Sequence, residues 1–358
     1  MAPEDRHITI NDIASAAGVS KTTVSRYING RYNMMSEPTR KRIEEVIRLT
    51  SYRPSSFARG LKTHKSYLVG VAISDISSPF MSSAISGITD VLSENGYLPI
   101  CVNCEDSYER ETSALKSLSA CNVDGLIVNT TREDNPFLVS LATTGLPVVL
   151  LDRKVRNYNL DIVTGDYARA VHELIRHLHD VGYAHVSLLT QEFQSNSVRK
   201  GRVEAFEQAC KELYGADTPE QDVYVINLDD IPQVTAALES SIKAAAGGVP
   251  AVMGINSVTT MDIIYAAERM GVCSPNQLGI CGPDDLDWLH DLSWDLSEIM
   301  GGGLTTYKVH PYRAGSETAK LLLHRIRHPD GTRKNVVLPA EISVRNSTNL
   351  AGTVAQQG

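Results

Sequence analysis

Lys21, Thr22 and Arg26 are spaced so that a helix places Arg26 one turn beyond the first two on a shared face. An ammonium, a hydroxyl and a guanidinium in that arrangement suit the edges of stacked bases. Arg can take guanine O6 and N7 in two parallel hydrogen bonds, while Thr and Lys reach bases or phosphates. Thr9, Ser20, Thr23, Ser25 and Asn29 surround them with short polar groups. Such groups bind phosphates and set register without reading sequence. Other spacings point away from chemistry. Cys101 and Cys104 form a CxxC with no second CxxC or CxxH to complete a metal site, at the end of an apolar run. His172, His177, His179 and His185 follow no metal-ligand pattern. No GxSxG, kinase set or paired-glycine dinucleotide fingerprint occurs, so no enzyme is expected.

The elements that must carry the first set are legible between residues 8 and 52. Ile10, Ile13, Ala14 and Ala17 recur at i, i+3, i+4 and i+7, the apolar face of a short helix. Gly18 follows as a turn residue, and Ser20 is a good N-cap for a second helix with Val24 and Ile28 inward. A third helix begins at Ser36 with Pro38 in its first turn, and turns Ile43, Val46 and Ile47 inward. Three short helices of this kind make a helix-turn-helix unit, whose second helix enters the major groove. Charge agrees. Residues 1–65 hold 12 Lys+Arg against 6 Asp+Glu, net +6, whereas the rest of the chain is net -14 within a total of -8. A basic head on an acidic body fits a polyanion-binding module.

Length and composition bound the remainder. A chain of 358 residues implies two or three domains, and 42% hydrophobic with 21% charged residues is a globular balance. No apolar run reaches the roughly 18 residues of a membrane span. The first residues, MAPEDRHITIND, show no secretory signal, and six cysteines fit a reducing compartment, so a cytoplasmic location is expected.

ITINDIASAAGVSKTTVSRYING, followed by MSEPTRKRIEEVIRLTSYRPSSFARGLKT, closely resembles the head and hinge of LacI/GalR-family bacterial transcription regulators. The resemblance continues to about residue 346. The link RYNMMSEPTR departs from the shorter form of many members, and is similar to that of family regulators of sugar-acid and ketodeoxygluconate catabolism. The implied organisation is a helix-turn-helix domain over 1–52, a hinge helix over 53–65, a two-lobed body over 66–346 and a polar tail over 347–358. Within the hinge, the resemblance implies that Leu61 wedges into the DNA minor groove, with Ala58 beside it on the DNA. Gly60 and Ser56 make that helix intrinsically weak, as suits a segment that orders on binding.

From residue 67 the chain alternates short apolar runs with amphipathic stretches. Runs 67–73, 98–103, 125–129 and 148–152, then 186–190, 223–227, 251–254 and 279–281, read as buried parallel strands. Two such series predict two doubly wound α/β lobes facing across a cleft. The family's body is similar to periplasmic sugar-binding proteins, with three crossovers between lobes. The expected division is a first lobe of about 66–164 plus 304–328 and a second of about 165–300 plus 329–346.

Open α/β sheets bind ligands at the carboxyl ends of their strands. Asp75 and Phe80 follow the first strand, where a carboxylate and an aromatic can hydrogen-bond and stack on a sugar ring. Asp152 and Arg153 end VVLLDR, and Arg202 in RKGRVEAF matches a family position that grips the effector. Asn256 ends VMGIN, and Asp284 lies in ICGPDD where many members have GxDD. Ser257 replaces the Asp common in the family, and the long stretch 286–303 adds Trp288 as a further expected cleft wall.

Together these features imply a homodimeric regulator that reads a near-palindromic operator and answers to a sugar, sugar acid or sugar phosphate bound between the lobes. It needs no cofactor and no metal. Repression released by an inducer is the family's commoner arrangement, though corepression is also known. The polar tail NSTNLAGTVAQQG carries no leucine heptads, so no tetramerisation helix is expected. A sugar-binding protein without a regulatory role would share the body but not the head, and a regulator answering to a protein partner would share both.

Overall fold

The computed structural model describes residues 8–50, 52, 65–215, 219–228, 230–284 and 303–350. It divides into two compact units, Met1–Tyr67 and Leu68–Gly358. Among the described residues no helix is long and apolar enough to cross a membrane.

The first unit is a three-helix cluster of α1 (Ile10–Ala16), α2 (Lys21–Ile28) and α3 (Glu37–Thr50), with a 3-10 turn at Tyr32–Met34. Thr9 opens α1 with a capping box, its side chain and backbone exchanging hydrogen bonds with Asp12. Ser20 caps α2 by accepting from Thr23 N at 3.2 Å. Between them Gly18 takes φ +63°, a left-handed turn that an L side chain disfavours. Ile13, Ala14, Ala17, Val24 and Ile43 form the buried centre, with Ile28, Val46 and Ile47 packed at its edge. The inward faces expected from periodicity are the ones observed.

The second unit contains two six-stranded sheets. The first has the order β11-β5-β4-β3-β1-β2, all parallel: β1 (Leu68–Ile73), β2 (Leu98–Asn103), β3 (Gly125–Val128), β4 (Val148–Leu151), β5 (Asp161–Gly165) and β11 (Asn335–Leu338). The second has the order β12-β10-β9-β8-β6-β7: β6 (His185–Thr190), β7 (Val223–Val225), β8 (Pro250–Gly254), β9 (Gly279–Pro283), β10 (Thr305–Lys308) and β12 (Glu341–Ser343). Only β12 runs antiparallel, against β10. Every residue of β3, β4, β8 and β9 is buried, which is why these strands read as unbroken apolar runs rather than alternating ones.

The first lobe's helices are α4 (Pro79–Glu94), α5 (Tyr108–Ala120), α6 (Pro136–Thr143) and α11 (Pro311–Arg327). In the second lobe lie α7 (Tyr167–Val181), α8 (Ser197–Tyr214), α9 (Ile231–Ala244) and α10 (Ser257–Met270). Helices α4 and α11 approach so closely that a Cβ on Gly315 would lie 1.9 Å from the Ala84 carbonyl oxygen, and one on Gly87 2.1 Å from that of Tyr312. Within the described residues the chain crosses between sheets three times: after Gly165, after Lys308 and after Leu338.

These crossings correct the expected lobe division. Thr305–Lys308, placed by sequence in the first lobe, pairs with β9 and extends the second sheet. Asn335–Leu338, placed in the second, pairs with β5 and closes the edge of the first. A strand's apolar pattern shows that it is buried, but the free sheet edge available to it exists only once the fold has formed. The expected residues Ala58, Leu61 and Trp288 lie outside the described residues.

Candidate functional site

On the head, Lys21 and Thr22 are exposed in the first turn of α2, and Arg26 is half-buried one turn later. Thr9, Ser20, Thr23 and Asn29 are already committed locally. Thr9 Oγ1 donates to Asp12 at 2.7 Å, Ser20 and Thr23 hydroxyls meet at 2.9 Å, and Asn29 Nδ2 donates to the Ser25 carbonyl at 2.7 Å. Their structural task is to cap α1 and α2, which leaves Lys21, Thr22 and Arg26 as the less encumbered set.

In the body, both sheets reverse their strand order, between β1 and β3 in one and between β6 and β8 in the other. Those are the switch points where open sheets leave a crevice. Each crevice is bridged by side chains just past the strand ends. Ser74 donates to Asn129 Oδ1 in the first lobe, and Asn256 Nδ2 donates to Gln191 Oε1 at 3.0 Å in the second. The crevices meet in one cleft, partly open to solvent. Asp75, Phe80, Asp152, Arg153, Arg202, Asn256 and Asp284 all line it.

Their settings differ. Asp75 accepts from Ser77 N at 2.9 Å, a local turn at the mouth of the crevice. Asn256 is the N-cap of α10, accepting from Thr259 N at 2.9 Å. Arg202 projects from α8 and is 6% exposed. Its guanidinium stacks 4.3 Å from the Tyr167 ring and 5.7 Å from that of Tyr307, and Nη1 donates to the Ile255 carbonyl at 2.7 Å. Asp152 and Asp284 leave β4 and β9 with left-handed φ of 69° and 67°, conformations that end a strand abruptly. Tyr167 donates its hydroxyl to Asp152, and Ser257 donates to Asp284.

Burial raises the carboxyls of Asp152 and Asp284 above the usual range, with Arg202 pulling in the opposite direction. Burial also works against the Arg202 charge, but Tyr307, Tyr167, Asp284 and Asp152 around it raise its pKa overall. Three buried polar atoms here make no hydrogen bond: Arg202 Nε, Asp284 Oδ1 and the Tyr307 hydroxyl. Buried polar atoms are costly without partners, so a ligand bearing hydroxyls would find donors and acceptors waiting.

Sequence reasoning missed Asp106, Arg199, Tyr167 and Tyr307. Asp106 follows β2, so the strand-end rule that found Asp75 extends to it, and Arg199 lies one helical turn before Arg202. Nothing in the sequence marks the two tyrosines.

The weaker signals resolve separately. Burial pushes the Cys104 thiol up to about 12, far from a thiolate ligand. His172 pairs with Glu212, His177 with Thr348, His179 with Asp180 and His185 with Asp222, so each has its own partner. Among the described residues no group of three or more His, Cys, Asp or Glu is placed to hold a metal.

A helix-turn-helix head and a two-lobed cleft-bearing body in one chain define a DNA-binding transcriptional regulator with a small-molecule-binding domain. The chain matches "Bacterial regulatory proteins, lacI family" over residues 9–55, and "Periplasmic binding proteins and sugar binding domain of LacI family" over residues 66–346. It belongs to the LacI family. Curated relatives include the HTH-type transcriptional regulator KdgR of Bacillus subtilis (strain 168), 33% identical over 95% of this chain and 98% of that protein. The HTH-type transcriptional regulator PtxS of Pseudomonas plecoglossicida is 34% identical over 96% of each. Among solved structures, a lac repressor dimer bound to operator and the anti-inducer ONPF shares the fold, with TM-score 0.78 and 22% identity over 97% of this chain and all of the other. A LacI family regulator from Enterococcus faecium with bound ribose aligns at TM-score 0.65 and 25% identity, over 78% of this chain and 98% of that one.

Proposed function

We propose that this regulator acts as a homodimeric, non-enzymatic repressor of carbohydrate catabolism genes, working in the cytoplasm and released from a near-palindromic operator by a sugar-derived effector in the cleft. The observation that carries the effector half is the convergence of seven expected residues on one cleft, two of which, Arg202 and Asp284, bring unpartnered buried polar atoms to it. The ribose in the Enterococcus faecium structure supports a ligand of the sugar class. Asp152, Arg202 and Asp284 hold hydroxyls at the cleft floor, and Phe80 and Asp75 face the ligand from the first lobe.

At the other end, Lys21, Thr22 and Arg26 read bases, while Ser20, Thr23, Ser25, Asn29 and Thr9 set the approach to phosphates. Leu61 and Ala58 complete the contact through the hinge, as the family resemblance implies. A twofold-symmetric dimer makes the operator palindromic. The effector shifts the equilibrium only through unequal affinity for the operator-binding and released conformations.

A thermal-shift panel of sugars, sugar acids and sugar phosphates tests the reading. A ligand at about 100 times its Kd stabilises by about 2.7 kcal/mol. Any hit is then titrated into an operator complex. Release of wild-type protein, and loss of both binding and release in Arg202→Lys, is expected, because Lys keeps the charge but not the fork. Turnover of the ligand, or binding that leaves the operator complex unchanged, rejects it.

A further inference from the structure

His324 stands in the last turn of α11, and His328 caps that helix. The His328 N–H donates to the His324 carbonyl at 2.9 Å, so helical i,i+4 geometry holds across the pair. That spacing sets two side chains one above the other on one face of a helix. Their ring centroids are 4.8 Å apart, with the planes inclined at 46°. Both residues are exposed, and among the described residues neither ring nitrogen pair has a hydrogen-bond or ion-pair partner. The histidines of α7 and β6 differ, because each is already held by Glu212, Thr348, Asp180 or Asp222.

The separation of the two rings matches a shared metal ion. An imidazole nitrogen binds a divalent transition metal at about 2.0–2.1 Å, which puts each ring centroid about 3.2 Å from the ion. Two such rings lie about 4.5 Å apart at a right angle and about 5.2 Å apart at the tetrahedral angle. The observed 4.8 Å falls between these.

Most of the neighbouring cations are engaged elsewhere. Arg325 turns into the core and bonds Asp161, Lys320 pairs with Glu317 at 2.8 Å, and Arg327 donates to Asn95 Oδ1 at 3.2 Å. Local desolvation, then Lys334, His328 and Arg325, lower the pKa of His324, with Asp161 opposing. A ring that holds its proton less tightly leaves its lone pair more available to a metal. Lys334 also acts in the other direction, since it repels a metal dication as it repels a proton.

We propose that His324 and His328 form a two-histidine chelate at the end of α11 for a divalent transition metal that prefers nitrogen ligands, such as Ni2+, Cu2+ or Zn2+. Zinc-binding HExxH helices use the same i,i+4 pairing, with further ligands from elsewhere. Among the described residues no group of three or more His, Cys, Asp or Glu could hold a metal. Water or a solute anion therefore fills the remaining positions, and the ion is exchangeable rather than structural. Mg2+ and Ca2+, which take oxygen ligands, are excluded. The His328 carbonyl lies 3.4 Å from Arg325 Nη1, in the loop that leads to β11. A bound ion thus clamps the end of α11 to that loop, away from both the cleft and the head, and is accessory to the regulatory function proposed above.

The test is calorimetric titration of the full-length protein with NiCl2 in a non-coordinating buffer. Ni2+ is the probe because Cu2+ would oxidise the exposed thiols of Cys101, Cys121 and Cys273. The chain has ten histidines, so the result is read as the difference between wild type and variants. His324→Ala should weaken one Ni2+ site per chain by about tenfold or more, and His328→Ala should weaken the same site alike. Lys334→Gln should tighten it about two- to fivefold by removing an exposed like charge. Co2+ and then Mn2+ should bind more weakly than Ni2+, in the order of imidazole affinity. His328→Ala carries the test should His324→Ala prove misfolded by circular dichroism. No wild-type binding at millimolar Ni2+, binding unchanged in the folded histidine variants, or Mn2+ matching Ni2+ overturns the assignment.

Discussion

Arg325 and Asp161 form a two-point ion pair in the core of the first lobe. Nε meets Oδ2 at 2.6 Å and Nη2 meets Oδ1 at 2.9 Å, with the two side chains 2% and 0% exposed. Arg325 also donates to the carbonyls of Pro329, Gly331 and Thr332, and Asp161 accepts from Lys334 N at 2.7 Å. The pair therefore ties the end of α11 to the start of β5, and fixes the loop that delivers β11 to the sheet edge.

Arg325→Ala leaves the buried Asp161 carboxylate with the weaker, longer contact to Arg333 at 3.4 Å, and should destabilise the body by about 3 kcal/mol, measured by denaturant unfolding, because a poorly compensated buried charge is costly. A double-mutant cycle with Asp161→Ala should show strong coupling; additive losses would mean that the loop carbonyls, not the carboxylate, hold the guanidinium.

The α4–α11 contact is a backbone-to-backbone approach. Gly315→Ala places a methyl where the Ala84 carbonyl stands, and backbone cannot yield as a side-chain tip would. A loss of about 1–3 kcal/mol or more in thermal or denaturant unfolding is expected. Gly18→Ala in the head, where nothing crowds the Cβ, should fail for a different reason, the left-handed φ.

On α2, Arg26→Ala should weaken specific operator binding by about 1–3 kcal/mol in a gel shift, and relax base preference at one position per half-site. Lys21→Ala, if it contacts phosphate, should instead weaken binding to all sequences and flatten the salt dependence. Undiminished specificity in Arg26→Ala would show that another face of the head reads the DNA.

His177 sits on α7 with Nε2 2.8 Å from the Thr348 hydroxyl, and burial lowers its pKa, with Asp180 opposing. The unfolded chain therefore binds the proton more readily than the folded one. Its contribution to stability is fully present above the unfolded value near 6.5 and is lost as pH falls through the lower folded value. Melting curves between pH 5 and 7.5 should show His177→Gln less acid-sensitive than wild type.

Much of this architecture follows from local signals. The caps at Thr9 and Ser20, the turn at Gly18 and the inward residues Ile13, Val24 and Ile43 are short-range, so the head is legible almost residue by residue. Six of the eight apolar runs of the body are legible because a parallel strand buried on both faces needs no partner to look buried, whereas β2 and β7, expected to be buried like the rest, are sheet edges and only partly covered. Asp75, Asp152, Asn256 and Asp284 could be picked out because the strand-end rule converts one-dimensional position into proximity to a crevice.

Only the tertiary structure decided what these residues face. Strands β10 and β11 exchange lobes because each adds to the sheet edge left open for it, which depends on the crossings and not on the strand's own sequence. Tyr167 and Tyr307 belong to different elements far apart in the chain, and they flank Arg202 only after α7 and β10 have docked. The same holds for Asp106 between Arg153 and Arg199. Local sequence sets the type of each element and the polarity of its ends, because capping, periodicity and strand burial act over a few residues. Which charges share a cleft is set by the packing of two lobes, where sequence separation carries no information about distance.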